Sequence, residues 1–232
     1  MRRDVKYIAE VVNVRELGLT GSADLAFWTK WLEPQGLEPI DHDGSARLMF
    51  TAVDAKWMGV RFRELSIGAV VRGELGGEQQ DGLHLLHAFN SSRLYAFCER
   101  RLLRTPYDHA DVRVDVRLPA SMHVGRSKSG ALLANMSGEA ERTPSSSADE
   151  CWEGPIYLPR DGNRPKAPST WFRAKLAGQT ERYPFLAPDT VEFSPATGHP
   201  VLTALIESEF VAKEWSIRQS ATHCRTKTFK GR

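Results

Sequence analysis

A chain of 232 residues, 41% hydrophobic and 26% charged, is long enough to bury a sizeable core and has a globular composition. Its 31 Lys and Arg nearly balance 29 Asp and Glu, and a formal charge of +2 argues against a dedicated nucleic-acid binder. Three widely spaced cysteines, Cys98, Cys151 and Cys224, exclude a disulfide framework and a cysteine zinc site, and fit a reducing, cytoplasmic setting. The start, MRRDVKYIAEVV, lacks the apolar run and cleavage site of a signal peptide. No segment approaches the roughly 20 apolar residues of a membrane helix, so no membrane partner is expected.

Residues 5–14 are rich in β-branched side chains and are expected as a strand. Ser22 is expected to cap a helix running through Leu25, Trp28 and Leu32 and stopping before Pro34, with Phe27 and Trp31 widening its apolar face. Residues 46–54 read as a second strand and 58–72 as a third, unusually long one. In a regular strand Val60, Phe62, Glu64, Ser66 and Val70 share one face, and Leu65, Ile67, Ala69 and Val71 the other. Apolar residues on both faces point to a barrel wall covered by helices, or a strand buried on both sides. Glu64 then needs a partner or stays protonated with a raised pKa; it reads equally as the partner of a structural arginine.

Residues 73–82 form a Gly-rich turn leading into a strand at 83–89, an expected antiparallel hairpin. The glycines precede no helix, so this is no phosphate loop. His84 and His87, three apart, are expected on opposite faces and share no metal. Ser91 or Ser92 then caps a helix with Leu94, Phe97, Cys98 and Leu102 at helical spacing, ended by Pro106. A polar turn at 105–109 leads to a strand in which Val112, Val114, Val116 and Leu118 alternate with Asp111, Arg113, Asp115 and Arg117.

Further on, 121–127 and 131–136 read as a hairpin turning at 128–130, and 139–150 as a mobile surface loop. Residues 151–158 read as a strand, 161–169 as a loop, and 171–176 and 181–185 as short strands. Residues 200–208 read as a helix with Val201, Leu202, Leu205 and Ile206 on its apolar side, and 210–225 as the last strand or pair of strands. The expected organisation is one domain over 1–221 and a basic tail, 222–232, that frays. Many strands, few helices and Gly/Pro turns give an α+β, mostly β class: an antiparallel β-barrel or double sheet with a few helices packed on it.

The order of a strand with an inner Glu (FRELSI), a hairpin, a helix with Arg100 near its end, and Pro106 six residues later resembles the acetoacetate decarboxylase-like superfamily. The helix followed by GLEP, within residues 22–39, is similar too. The resemblance implies that fold, with Glu64 as an active-site carboxylate. Family decarboxylases carry two lysines directly after the proline, the first forming a Schiff base with a β-keto acid. Here Tyr107 and Asp108 stand there, and no lysine occurs from 57 to 127. The chain looks more like the branch with Pro-Tyr in place of Pro-Lys, without the usual Schiff base; Lys56 and Lys128 are the lysines left to enter from another strand.

If the turn points into the barrel, Glu64, Tyr107 and His109 are the candidate catalytic residues, for proton transfer and for donation to an oxyanion. Arg100, Asp108, Phe62 and Phe89 are the candidate substrate-binding residues around an apolar cavity. Such a site suits isomerisation, dehydration or cyclisation of a small carbonyl or carboxylate compound. Each residue also has a plainer reading: Arg100 paired with Glu64, Tyr107 packed in the core, Asp108 a turn former, His109 exposed. Two other functions fit the same residues: a non-catalytic binder of an apolar molecule lined by Phe62, Phe89, Tyr95 and Phe97, and an assembly role through a surface strand or the tail, with homo-oligomers. No metal and no cofactor are expected.

Overall fold

The computed structural model describes residues 5–126, 129–138, 142–160, 170–194 and 199–230. The chain opens with β1 (Tyr7–Asp24), α1 (Leu25–Leu32), β2 (Leu37–Pro39), β3 (Asp41–His42) and β4 (Ser45–Trp57). Next come β5 (Val60–Leu75), β6 (Glu78–Asn90), α2 (Arg93–Cys98), β7 (Tyr107–His109), β8 (Asp111–Asp115), β9 (Ser121–Arg126) and β10 (Ser129–Asn135). It ends with β11 (Ser146–Leu158), β12 (Thr170–Pro184), β13 (Thr190–Phe193), α3 (Pro200–Glu207), β14 (Val211–Thr226) and β15 (Phe229–Lys230).

Seven long strands close a ring in the order β5-β4-β1-β14-β12-β11-β6, with β6 pairing back onto β5. A second sheet, β13-β10-β9-β8, packs with α1 and α3 against one face of that ring. The class is therefore mostly β with a few helices, as expected. The ring is not wholly antiparallel: β6 pairs in parallel with both β11 and β7.

The face turned to the second sheet and the helices is the main core. Leu17, Leu19, Leu48, Phe50, Leu65, Ile67, Trp28, Leu202, Leu205 and Trp215 lie in it with Val112, Met122, Val124 and Leu132. Burying an aliphatic or aromatic side chain contributes about 2 kcal/mol each, so this layer carries most of the hydrophobic stabilisation. We call this face outer and the enclosed face inner.

Several sequence expectations need correction. Ser22 lies in β1, paired with Val211 and Arg47, and Asp24 caps α1 by accepting the Phe27 N–H. The strand at 5–14 extends to Asp24. Met58 and Gly59 are the positive-φ turn residues of the β4–β5 hairpin, and Gly76 and Gly77 those of the β5–β6 hairpin. Residues 146–150, read as part of a mobile loop, belong to β11 and pair along β12; 139–141, 161–169 and Lys128 lie outside the described residues. The two short strands at 171–176 and 181–185 are one continuous β12. The basic segment expected to fray runs in β14 as far as Thr226 and, at Phe229–Lys230, pairs with β12.

The helix after Ser92 also differs. Ser92 caps it as expected, accepting the Tyr95 N–H. Yet Leu94, Phe97 and Leu102 are 60%, 55% and 72% exposed, and within α2 Ala96 is the buried residue. A π-helical turn at Glu99–Leu103 adds a residue to the turn and shifts the face, and Arg104 at φ 56° ends it before Pro106. The stretch expected as a polar turn becomes β7 at Tyr107–His109, held on β6 from Ala88 to Asn90.

Candidate functional site

Strand register brings the site together. Glu64 in β5 stands opposite Val53 in β4 and Asn90 in β6; Val53 faces Glu16 in β1, and Glu16 faces Arg218 in β14. Residues directly opposite share a face, so this row runs around the inner wall. Tyr107 enters from β7, whose register sets it beside Ala88 on the same face as Asn90.

Glu64 accepts two hydrogen bonds, from Tyr107 Oη at 2.8 Å on Oε1 and from Asn90 Nδ2 at 3.0 Å on Oε2. The Asn90 amide is fixed, because its Oδ1 accepts the Ser92 N–H at 2.8 Å. Glu64 keeps some exposure while Tyr107 is 8% exposed. Burial, reinforced by the negative charge of Glu99, pushes Glu64 up to about 7 against the pull of its two donors and of His223. Burial and the neighbouring Glu64 and Glu99 raise the Tyr107 phenol well above its ordinary value, so it stays a proton donor.

A second group sits against the first. Arg225 Nη1 donates to both oxygens of Glu99, at 2.8 and 2.9 Å, and Thr105 Oγ1 donates to Glu99 Oε2 at 2.7 Å. The Arg225 guanidinium lies over the Phe172 ring, 4.1 Å from its centroid. Its Nε and Nη2 are buried and make no hydrogen bond among the described residues, so one edge of the fork is unpaired. Farther along the wall Glu16 accepts from Arg218 Nη1 at 2.8 Å and lies 2.5 Å from His223 Nε2. Burial alone would raise Glu16, but His223 and Arg218 outweigh it and hold the carboxyl below the usual range.

Of the expected site residues, Glu64 and Tyr107 meet. Phe62 shares the inner parity of Glu64 and packs edge-on against Tyr95, centroids 5.2 Å apart. His109, at the end of β7, is exposed. Asp108 and Phe89 turn to the outer face, and Arg100 goes with them, its Nη1 3.5 Å from Asp108 Oδ1 and not against Glu64. The surroundings of Glu64 are mixed: Asn90, Glu99 and Arg225 lie on one side, and Tyr107 packs with Leu85, Ala88, Phe172 and Ala174 while Val53 packs with Ala55 and Phe62. Two surface clefts, of about 990 and 630 Å³, lie elsewhere and include neither Glu64 nor Tyr107. Lys56 is exposed. Asn90, Glu99, Arg225 and Glu16 escaped the sequence reading; the one usable signal was that Asn90 falls one alternation from Ala88 on a strand facing Glu64.

His84 and His87 correct another expectation. Ile67 pairs with His87 and Ala69 with His84, because a β-bulge at Leu86 adds a residue and restores the same parity. Both histidines therefore face outward. His84 is fully buried with Nδ1 3.2 Å from the Tyr157 carbonyl, and burial lowers its pKa to about 4.

No protein-family model matches the sequence, and no curated protein matches it. Among solved structures, acetoacetate decarboxylase from Legionella pneumophila subsp. pneumophila str. Philadelphia 1 superimposes with a TM-score of 0.64 at 13% identity, over 99% of this chain and 89% of that one. The enduracididine biosynthesis enzyme MppR, complexed with the condensation product of pyruvate and imidazole 4-carboxaldehyde, gives 0.63 at 10% identity, over 97% and 90%. An acetoacetate decarboxylase-like enzyme from Sphingomonas wittichii RW1 gives 0.59 at 11% identity, over 96% and 93%. In described residues no helix is long and apolar enough to cross a membrane. Over its whole length, this chain has the acetoacetate decarboxylase-like fold.

Proposed function

We propose that this chain moves a proton next to the carbonyl of a small oxo acid without forming a Schiff base. The observation that carries the reading is the Tyr107–Glu64 hydrogen bond, with the unpaired edge of Arg225 on the same wall. A carboxyl that titrates near 7 is matched to proton transfer at neutral pH. The Arg225 edge suits a substrate carboxylate, since Nε and Nη2 form a two-donor fork. Glu64 takes the proton from the carbon beside the carbonyl, and the C–H electrons pass to the carbonyl oxygen as an enolate. Once protonated, Glu64 no longer needs the Tyr107 hydroxyl, which donates to that oxygen. Returning the proton at another position isomerises the substrate, and expelling a hydroxyl dehydrates it.

MppR, which shares this fold, is described in complex with pyruvate. That supports 2-oxo acids as first substrates to try. Against a purely apolar ligand, Phe97 and Phe89, two of the four side chains offered for one, lie at the surface and on the outer face.

Proton exchange tests the proposal. In D2O the chain should speed loss of the pyruvate methyl protons by NMR. Glu64→Gln should reduce this at least ten-fold, Arg225→Met should weaken binding of the acid, and Glu74→Gln, on an exposed hairpin residue, should change nothing. Borohydride should trap no adduct. Equal exchange in wild type and Glu64→Gln, or a lysine adduct, would overturn it.

A further inference from the structure

On the outer side of the wall, away from Glu64, three side chains from distant parts of the chain converge. His87 comes from β6, Asp108 from β7, and His199 is the N-cap residue of α3. His87 Nε2 lies 3.5 Å from Asp108 Oδ2, and the His87 and His199 rings meet edge to face with centroids 4.3 Å apart. One ligand atom from each of the three lies within 4.8 Å of the other two. We propose that these residues form a site for a divalent first-row transition ion of the zinc class, with two imidazoles, one carboxylate and one position left for water.

The donor set selects the ion. Magnesium and calcium favour all-oxygen shells, whereas two imidazoles with one carboxylate suit zinc, cobalt and iron. The spacing fits as well. Bonds of about 2.0–2.2 Å around a tetrahedral ion set ligand atoms roughly 3.3–3.5 Å apart. The His87–Asp108 pair already stands at that separation. From within 4.8 Å, drawing in His199 takes a shift of at most roughly 1.5 Å, within the reach of an imidazole turning about its side-chain bonds.

The scaffold is built for convergence. The bulge at Leu86 turns His87 outward, and bulges commonly re-aim a side chain in this way. The parallel register of β6 and β7 sets Asp108 beside Phe89 on that face, and Ala88 N–H donates to the Pro106 carbonyl at 2.9 Å, fixing the start of β7. Phe89 floors the group, its ring centroid 4.7 Å from His87 and 5.3 Å from His199. Arg100 reaches the other Asp108 oxygen at 3.5 Å, a place where ligating carboxylates commonly take an outer hydrogen bond. An ion here would tie α3 to the wall of the ring.

The test uses the full chain stripped with a chelator. One equivalent of Co(II) should give visible d–d absorption of a four-coordinate centre, and Zn(II) should displace it. His199→Ala and Asp108→Asn should each remove the absorption and weaken Zn(II) binding at least ten-fold by calorimetry, while His42→Ala, on an exposed histidine, should leave both unchanged. Should a variant fold poorly, the wild-type titration decides, read also by histidine ring shifts in NMR, with His87 and His199 moving and His223 staying. Absence of Co(II) absorption and Zn(II) heat in the wild type, or unaltered binding in folded His199→Ala, would overturn the assignment.

Discussion

Glu64 is held by two neutral donors, yet it titrates near 7 because burial and the charge of Glu99 outweigh them. Its folded value lies above the ordinary 4.5, so between those values the folded chain binds a proton that the unfolded chain has released. Glu64 therefore costs nothing below pH 4.5, and stability is lost as pH rises through 7, by about 3 kcal/mol for a shift of this size. Glu64→Gln should remove that loss. Melting curves from pH 4 to 9 should show the variant gaining on the wild type as pH rises, and parallel curves would contradict it. The pairing of Glu64 with the inner wall was legible because strand parity in FRELSI is regular. Arg225 was not, since a run of Lys and Arg at the end of a chain reads as solvated, and only register with β1 and β12 shows it inside.

Elements were read well where the period is clean and poorly where a local device breaks it. The β8 alternation holds, with Val112 buried between exposed Asp111 and Arg113. β1 runs ten residues past the end expected at residue 14, through Gly18 and Gly21. In the fold they are close approaches: a Cβ on Gly21 would meet the Val211 carbonyl at 2.4 Å and the Phe210 ring at 2.5 Å. The bulge in β6 and the π turn after α2 each add one residue, so every parity argument across them inverts. Ring closure rests on a similar contact. Gly82 lets β11 lie against β6, and a Cβ there would stand 2.4 Å from the Pro155 carbonyl. Gly82→Ala should destabilise the chain by about 1–3 kcal/mol in urea, and amide exchange should quicken in Ile156 and Tyr157, which pair with β6. An unchanged urea midpoint would show that the closure is not tight.

At the scale of the molecule, the mostly β class and the acetoacetate decarboxylase-like ring were legible from strand density, turn chemistry and a few motif residues. The polarity of the ring's inner wall was not. It is assembled from single charged residues on β1, β5, β14 and the π turn, set among apolar ones such as Phe172 and Ala174, and no one segment advertises it. The fold is shared with proteins 9–14% identical, so the chemistry has to be argued from the residues that line this chain's wall. The bond from Tyr107 to Glu64 is the centre of the proposed function, in which no lysine takes part. A carbon-13 titration of the Glu64 carboxyl tests that centre most directly. The midpoint should lie near 7 and move higher in Tyr107→Phe, where a donor favouring the carboxylate is lost. A midpoint near 4.5, or one that Tyr107→Phe leaves in place, would contradict it.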